Sequence, residues 1–145
     1  MTDSERDDND KKVAQVIEMC CIGDKNAESM LRSFAFIART IDDHVDGDAP
    51  ADVISAFAQA TVMLQMNPFY IKHSSAITAI WAAALNAWLD SNDWMEAGDL
   101  RRRHAMVIRD YINEMCQVVA LIVGGWHHMR NVSLNVRELF LKDEE

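Results

Sequence analysis

Only two prolines and five glycines punctuate this chain of 145 residues, and that scarcity of breakers excludes most ways of folding it. A many-stranded sheet needs a tight turn every few residues, and such turns draw heavily on Gly and Pro. Half of the residues are hydrophobic, so a core must form, and long helices are the architecture that needs the fewest breaks. A chain of this length buries roughly 68–70% of its unfolded surface, enough for one domain without disulfides.

The few breakers fall between stretches whose apolar residues recur three and four apart. A first helix is expected from Lys11 to about Cys21, on Val13, Val16, Ile17 and Cys20, with Gly23 ending it. A second runs from about Lys25 to Asp46, with Met30, Phe34, Ile37, Ile41 and Val45 as its stripe and Gly47 and Pro50 as its stop. A third fits Ala51 to Met66. The fourth, from about Tyr70 to Leu89, carries Trp81 and Trp88 among alanines, is apolar nearly all round, and is expected at the centre. A fifth spans about Leu100 to Val123, ended by Gly124 and Gly125, and a last segment covers Ser133 to Leu141. Connections this short favour antiparallel neighbours. The expected fold is therefore all-α, a compact antiparallel bundle of about five to six helices over residues 11–141. An acidic solvated tail over 1–10 and a frayed end over 142–145 would flank it.

Net charge of −9 and an isoelectric point near 4.9 argue against a nucleic-acid backbone or an anionic membrane as the main partner, since both attract positive surfaces. Divalent cations suit such a chain better. The start MTDSERDDNDKK lacks the apolar run of a secretory signal, and no apolar stretch reaches the ~18 residues needed to span a bilayer. Three cysteines, two of them adjacent at Cys20 and Cys21, form no disulfide framework and no CxxC ligand spacing. A soluble protein in the reducing cytoplasm is expected.

The sharpest local feature is FAFIARTIDDHVDGD, in which Asp42, Asp43 and Asp46 crowd the last turn of an otherwise apolar helix. At about 100° per residue, Asp42 and Asp46 share a face with Leu31, Ala35 and Ala38, beside the apolar stripe. Carboxylates so close raise each other's pKa unless a cation offsets them, and Mg²⁺ suits oxygen ligands that leave room for water and substrate phosphates. A solvated acidic helix end is the plainer alternative. An EF-hand reading of Asp42, His44, Asp46, Gly47 and Asp48 fails, because Val53 stands where the loop needs its closing Glu.

A second acidic pair, Asp110 and Glu114, lies four apart in RRRHAMVIRDYINEM, in line with Arg103 on a helix whose stripe includes Val107, Ile108, Tyr111, Met115, Val118 and Ile122. Ordinary ion pairing with Arg103 and Arg109 on a wet face would explain it equally. His127 and His128 are neighbours in sequence, point apart on a helix, and make a poor shared metal site. No Glu-x-x-His pair of the di-iron type occurs.

The run Arg39, Asp42, Asp43, Val45 and Asp46 in ARTIDDHVDG resembles the first aspartate-rich motif of squalene and phytoene synthases, and IRDYINE resembles their second. The resemblance implies the all-α isoprenoid synthase fold, with both motifs on facing helices binding Mg²⁺ ions that grip a prenyl diphosphate. Carried over residue by residue, Asp42, Asp43 and Asp46 would be ligands of the first motif, and Asp110 and Glu114 of the second. Arg39, Arg109 and Arg103 would reach the small-molecule diphosphate. An all-α nucleotide pyrophosphohydrolase, and a non-catalytic helical binding or assembly module, are competing readings. Because the chain is shorter than members of that family, a homodimer is expected to cover apolar surface on the Trp81 and Trp88 helix and on Leu134 to Leu141.

Overall fold

Four helices of this chain start where a side chain can bond the amides that lack a partner one turn earlier. In the computed structural model, which describes residues 2–47 and 50–141, Thr2 opens α1 (Asp3–Cys21): its hydroxyl accepts from the Glu5 amide at 3.1 Å while the Glu5 carboxylate accepts from the Thr2 amide at 3.0 Å. This capping box, with Asp3 and Glu5 in the first turn, makes helix of the segment expected as a solvated tail. The expected frayed end, 142–145, lies outside the described residues.

Asp24 caps α2 (Lys25–Asp46), whose limits match the sequence expectation, and Gly47 ends it in the left-handed conformation at φ 68°. Asp52 caps α3 (Val53–Ala58), which runs through a π-helical stretch, Gln59–Met63, into α4 (Leu64–Met66). At the next corner the buried Asn67 caps α5 (Pro68–Trp94) by accepting from the Tyr70 amide, and donates its own side-chain amide to the Asn26 carbonyl at 2.9 Å. That bond ties the start of α5 to the start of α2.

The long helix expected over 100–123 is instead divided. Between α6 (Asp99–Ile108) and α7 (Asn113–Leu139) the amides of Asp110, Tyr111, Asn113, Glu114 and Met115 bond three residues back rather than four, which tightens and redirects the chain. No Gly or Pro marks this break. It lets α6 return along α5, where Arg109 bonds Ser91 and Asn92, while α7 turns away to pack on α1. Nor is α7 a single rod: Gly125 adopts φ 83° and ψ 180°, and Arg137 comes back to within 2.7 Å of Glu114. The glycine pair therefore makes a helical hairpin, with arms over 113–124 and 126–139.

Among the described residues the fold is an all-α bundle with no strand. The pairs Arg6–Asp43 and Asp10–Arg39 set α1 antiparallel to α2, whereas Phe34 against Trp81 and Asp42 against Trp88 make α5 run parallel to α2. One cluster of the core joins Ile17, Met30, Phe34, Ile77, Met115 and Val119, and a second joins Val16, Cys20, Ala120, Val132 and Val136. Full burial of side chains this size contributes about 1.5–3 kcal/mol each.

Two expectations about the core fail. The buried line of α2 runs Phe34, Ile37, Thr40, Asp43 rather than on through Val45, which is exposed, because α1 covers the polar side of the last turns. The alanine-rich α5 is not central either, since past its first turn it buries only Ile77, Ala84 and Ser91, one narrow seam at seven-residue spacing. No helix among the described residues is long and apolar enough to cross a membrane.

Gly124 sits beneath the His128 imidazole, and a Cβ there would collide with the ring, which itself lies 2.9 Å from the Cys20 carbonyl through Nε2. Gly124→Ala is therefore expected to lower stability by about 1–3 kcal/mol, measured by urea unfolding. An unchanged midpoint would show that the hairpin adjusts freely.

Candidate functional site

Both ends of the chain converge on one cleft. The polar turns of α1 bring Arg6, Asn9, Asp10 and Val13 to it, α2 brings Phe34, Ala35, Ala38, Arg39, Asp42 and Asp43, and α5 brings Trp88. The tight turn before α7 adds Arg109, Asp110, Ile112 and Asn113, and Cys116 and Phe140 extend the apolar wall. Its volume is about 700 Å³, within the roughly 300–1,000 Å³ usual for small-molecule pockets. The floor is apolar and the rim carries charges of both signs.

Each aspartate of the first cluster has its own surroundings. Asp43 is only 6% exposed, and Arg6 chelates it with two parallel bonds of 3.0 and 3.1 Å. One turn away the pattern is reversed, with Arg39 on α2 reaching Asp10 on α1 at 3.0 Å. Asp42 is half-buried, with the Asp46 carboxylate and the Trp88 indole beside it. Burial, and next the negative charge of Asp46, push Asp42 above the ordinary carboxylate range, against the pull of the Arg109 guanidinium.

The second cluster separates. Asp110 lines the cleft with Asp42 and Asp43, but Glu114 is bound to Arg137 on the other arm of the α7 hairpin. The turn at 109–112 removes the helical register that would have aligned them. It also removes the shared face of Asp110 and Arg103, and Arg103 lies exposed on α6, outside the cleft. Arg109 does reach the cleft while bonding Ser91 and Asn92. Of the residues singled out from sequence, Arg39, Asp42, Asp43, Arg109 and Asp110 thus share one cleft, and Asp46 adjoins it through Asp42. Among the described residues no three His, Cys, Asp or Glu side chains converge as a metal-binding set.

Arg6 and Asp10 escaped the sequence reading, whereas Trp88, expected on a central helix and at a dimer face, lines the cleft. A signal existed for the first two: Arg6 and Asp10 are four apart on α1, as Arg39 and Asp43 are on α2, with charges in complementary order for an antiparallel pair. The cysteines contribute no reactive thiolate, since burial pushes Cys20 up to about 11, Cys21 to about 12, and Cys116 higher still.

No family model, curated protein or solved structure matches this chain. The cleft must be read from its own chemistry.

Asp42 provides a test of the electrostatics. Its folded pKa lies above its unfolded one, so the native state binds the extra proton, and stability falls as pH rises through the interval between the two. Asp42→Asn keeps a donor for Asp46 and an acceptor for Trp88 without the charge. Thermal unfolding should find the variant more stable at pH 7, with the advantage shrinking as pH falls toward 4. A constant difference across that range would refute the assignment.

Proposed function

We propose that this chain is a helical binding domain whose cleft takes an amphipathic organic diphosphate, prenyl in type, together with Mg²⁺. The observation that carries this reading is the Asp42–Asp46 carboxyl pair at the rim of a cleft with an apolar floor. Mg²⁺ usually takes one or two carboxylates and fills its octahedron with waters and phosphate oxygens. The pair offers that number, and a cation would relieve the repulsion that raises Asp42. Arg39 and Arg109 supply guanidinium groups for diphosphate oxygens, and Phe34, Trp88, Ile112 and Phe140 suit a hydrocarbon tail. The metal would offset charge on the diphosphate, the role that assists its departure wherever such a bond breaks. Turnover, if the chain performs it, would be that of a prenyl-diphosphate transferase or lyase.

The test is thermal stability under titration. Mg²⁺ with a prenyl diphosphate should raise the unfolding midpoint more than either alone, by an amount that grows with ligand concentration, and Asp42→Asn with Asp46→Asn should abolish the joint effect. Equal stabilisation by nucleotides would favour the pyrophosphohydrolase reading. No response to any of them would leave a non-catalytic module.

A second reading, assembly into a homodimer, is favoured by a separate observation. Trp81 and Trp88 are half-buried, Leu134 and Leu141 are exposed at 65% and 64%, and α3 with the π stretch exposes Ile54 at 79%, Phe57 at 66% and Val62 at 50%, with Met66 following at 72%. The extra residue in the π turn keeps these side chains outward along one face. Such a face is costly in water and suits a two-fold copy of itself. Sedimentation at tens of micromolar (an order of magnitude set by weak interfaces) should give a dimer, and Ile54→Asp with Phe57→Asp a monomer of unchanged helicity. A monomeric parent would remove this reading.

A further inference from the structure

The first turns of α1 are unlike the rest of the bundle. Residues 2–12 read TDSERDDNDKK, without one apolar side chain, and the first buried residue of the helix is Val16. This half contributes nothing to either hydrophobic cluster, yet it lies across the cleft and lines it with Arg6, Asn9 and Asp10. Two reciprocal ion pairs join it to α2. One, Arg6 with Asp43, is shielded; the other, Asp10 with Arg39, leaves the Asp10 side chain 63% exposed.

We propose that residues 3–12 of α1 form an electrostatic latch, closing the cleft through Arg6–Asp43 and Asp10–Arg39 and opening it when those pairs are exchanged. Its purpose, control of ligand access, rests on the reading of the cleft given above; its opening does not. The exposed pair, Asp10 with Arg39, contributes little net stability and weakens with salt, and a helix end without apolar anchoring opens locally, letting water reach both charges of the shielded pair as it leaves. The hinge falls near Val13, where the apolar face begins. Opening delivers one guanidinium, Arg39, and one carboxylate, Asp43, to the cleft. An anion with a divalent cation can satisfy both groups, so such a ligand replaces the latch bond for bond, whereas a neutral apolar molecule leaves two charges unpaired and the latch favoured.

The experiment follows amide hydrogen exchange in the full chain without ligand. Exchange over residues 3–12 should accelerate with salt while that over 14–21 stays constant, and Asp10→Arg, which sets two guanidinium groups face to face, should accelerate it about tenfold. Adding Arg39→Asp to Asp10→Arg restores the pair with its charges interchanged and should restore protection. This rescue separates latch opening from general loss of structure. Uptake of 1-anilinonaphthalene-8-sulfonate should rise in Asp10→Arg and fall again in the double variant. Exchange over 3–12 that is insensitive to salt and to Asp10→Arg, or protection not restored by the double variant, would overturn the latch. If the latch opens as expected but Mg²⁺ and diphosphate do not bind, the ligand reading fails and the latch stands. If they bind without any change in exchange over 3–12, the latch fails and the ligand reading stands.

Discussion

A carboxylate buried at the end of the amphipathic α2 must find a cation, and Asp43 finds the guanidinium of Arg6. Removing a carboxylate from water costs several kcal/mol unless it is paired and hydrogen-bonded, so the position of Arg6 is dictated by that burial. With Arg6 fixed, the polar start of α1 must lie along the last turns of α2. That placement sets the antiparallel register of the first two helices, brings Asp10 to Arg39, and roofs the space enclosed by α2, α5 and the turn at 109–112. The cleft is thus a product of ionic contacts at one end of a bundle whose other contacts are mainly apolar.

The same cleft shows why acidic residues adjacent in sequence need not act together. On a helix, Asp42 and Asp43 point about 100° apart, so one faces α1 and its guanidinium while the other faces α5, with Trp88 and Arg109 beside it. Asp43 is neutralised by a direct partner. Asp42 is crowded by Asp46, and burial raises its pKa further. Two neighbouring carboxylates consequently have distinct surroundings, one paired with Arg6 across the α1–α2 contact and the other beside Asp46, Trp88 and Arg109.

Helix positions were legible in the sequence wherever the signal was local. Gly23, Gly47 and the glycine pair at 124 and 125 mark real boundaries because left-handed conformations are decided by residues within one turn. The break at 109–112 was not legible: no residue there disfavours helix, and the tightening comes from tertiary packing, with Arg109 held by α5 and Met115 by the core. The helicity of residues 3–10 was missed for the opposite reason, since polarity suggested solvent while a capping box and two long-range ion pairs stabilise the helix. Of the candidate site, the Asp42 group and Asp110 could be placed from pattern, but the partition of Glu114 to Arg137 depends on a hairpin whose closure no local pattern announces.

The hairpin of α7 also bears on the order in which the molecule can be assembled. His128 meets the Cys20 carbonyl across 108 positions of sequence, and Val16 and Cys20 are covered by Ala120, Val132 and Val136. As the chain emerges during synthesis, the face of α1 that carries Val16 and Cys20 therefore stays uncovered until residues 120–136 have followed. Closure over so long a loop is slow compared with local helix formation, and an apolar face left open in that interval is prone to aggregate. The polar first turns, which stay solvated throughout that wait, keep the unfinished helix from presenting an apolar surface along its entire length.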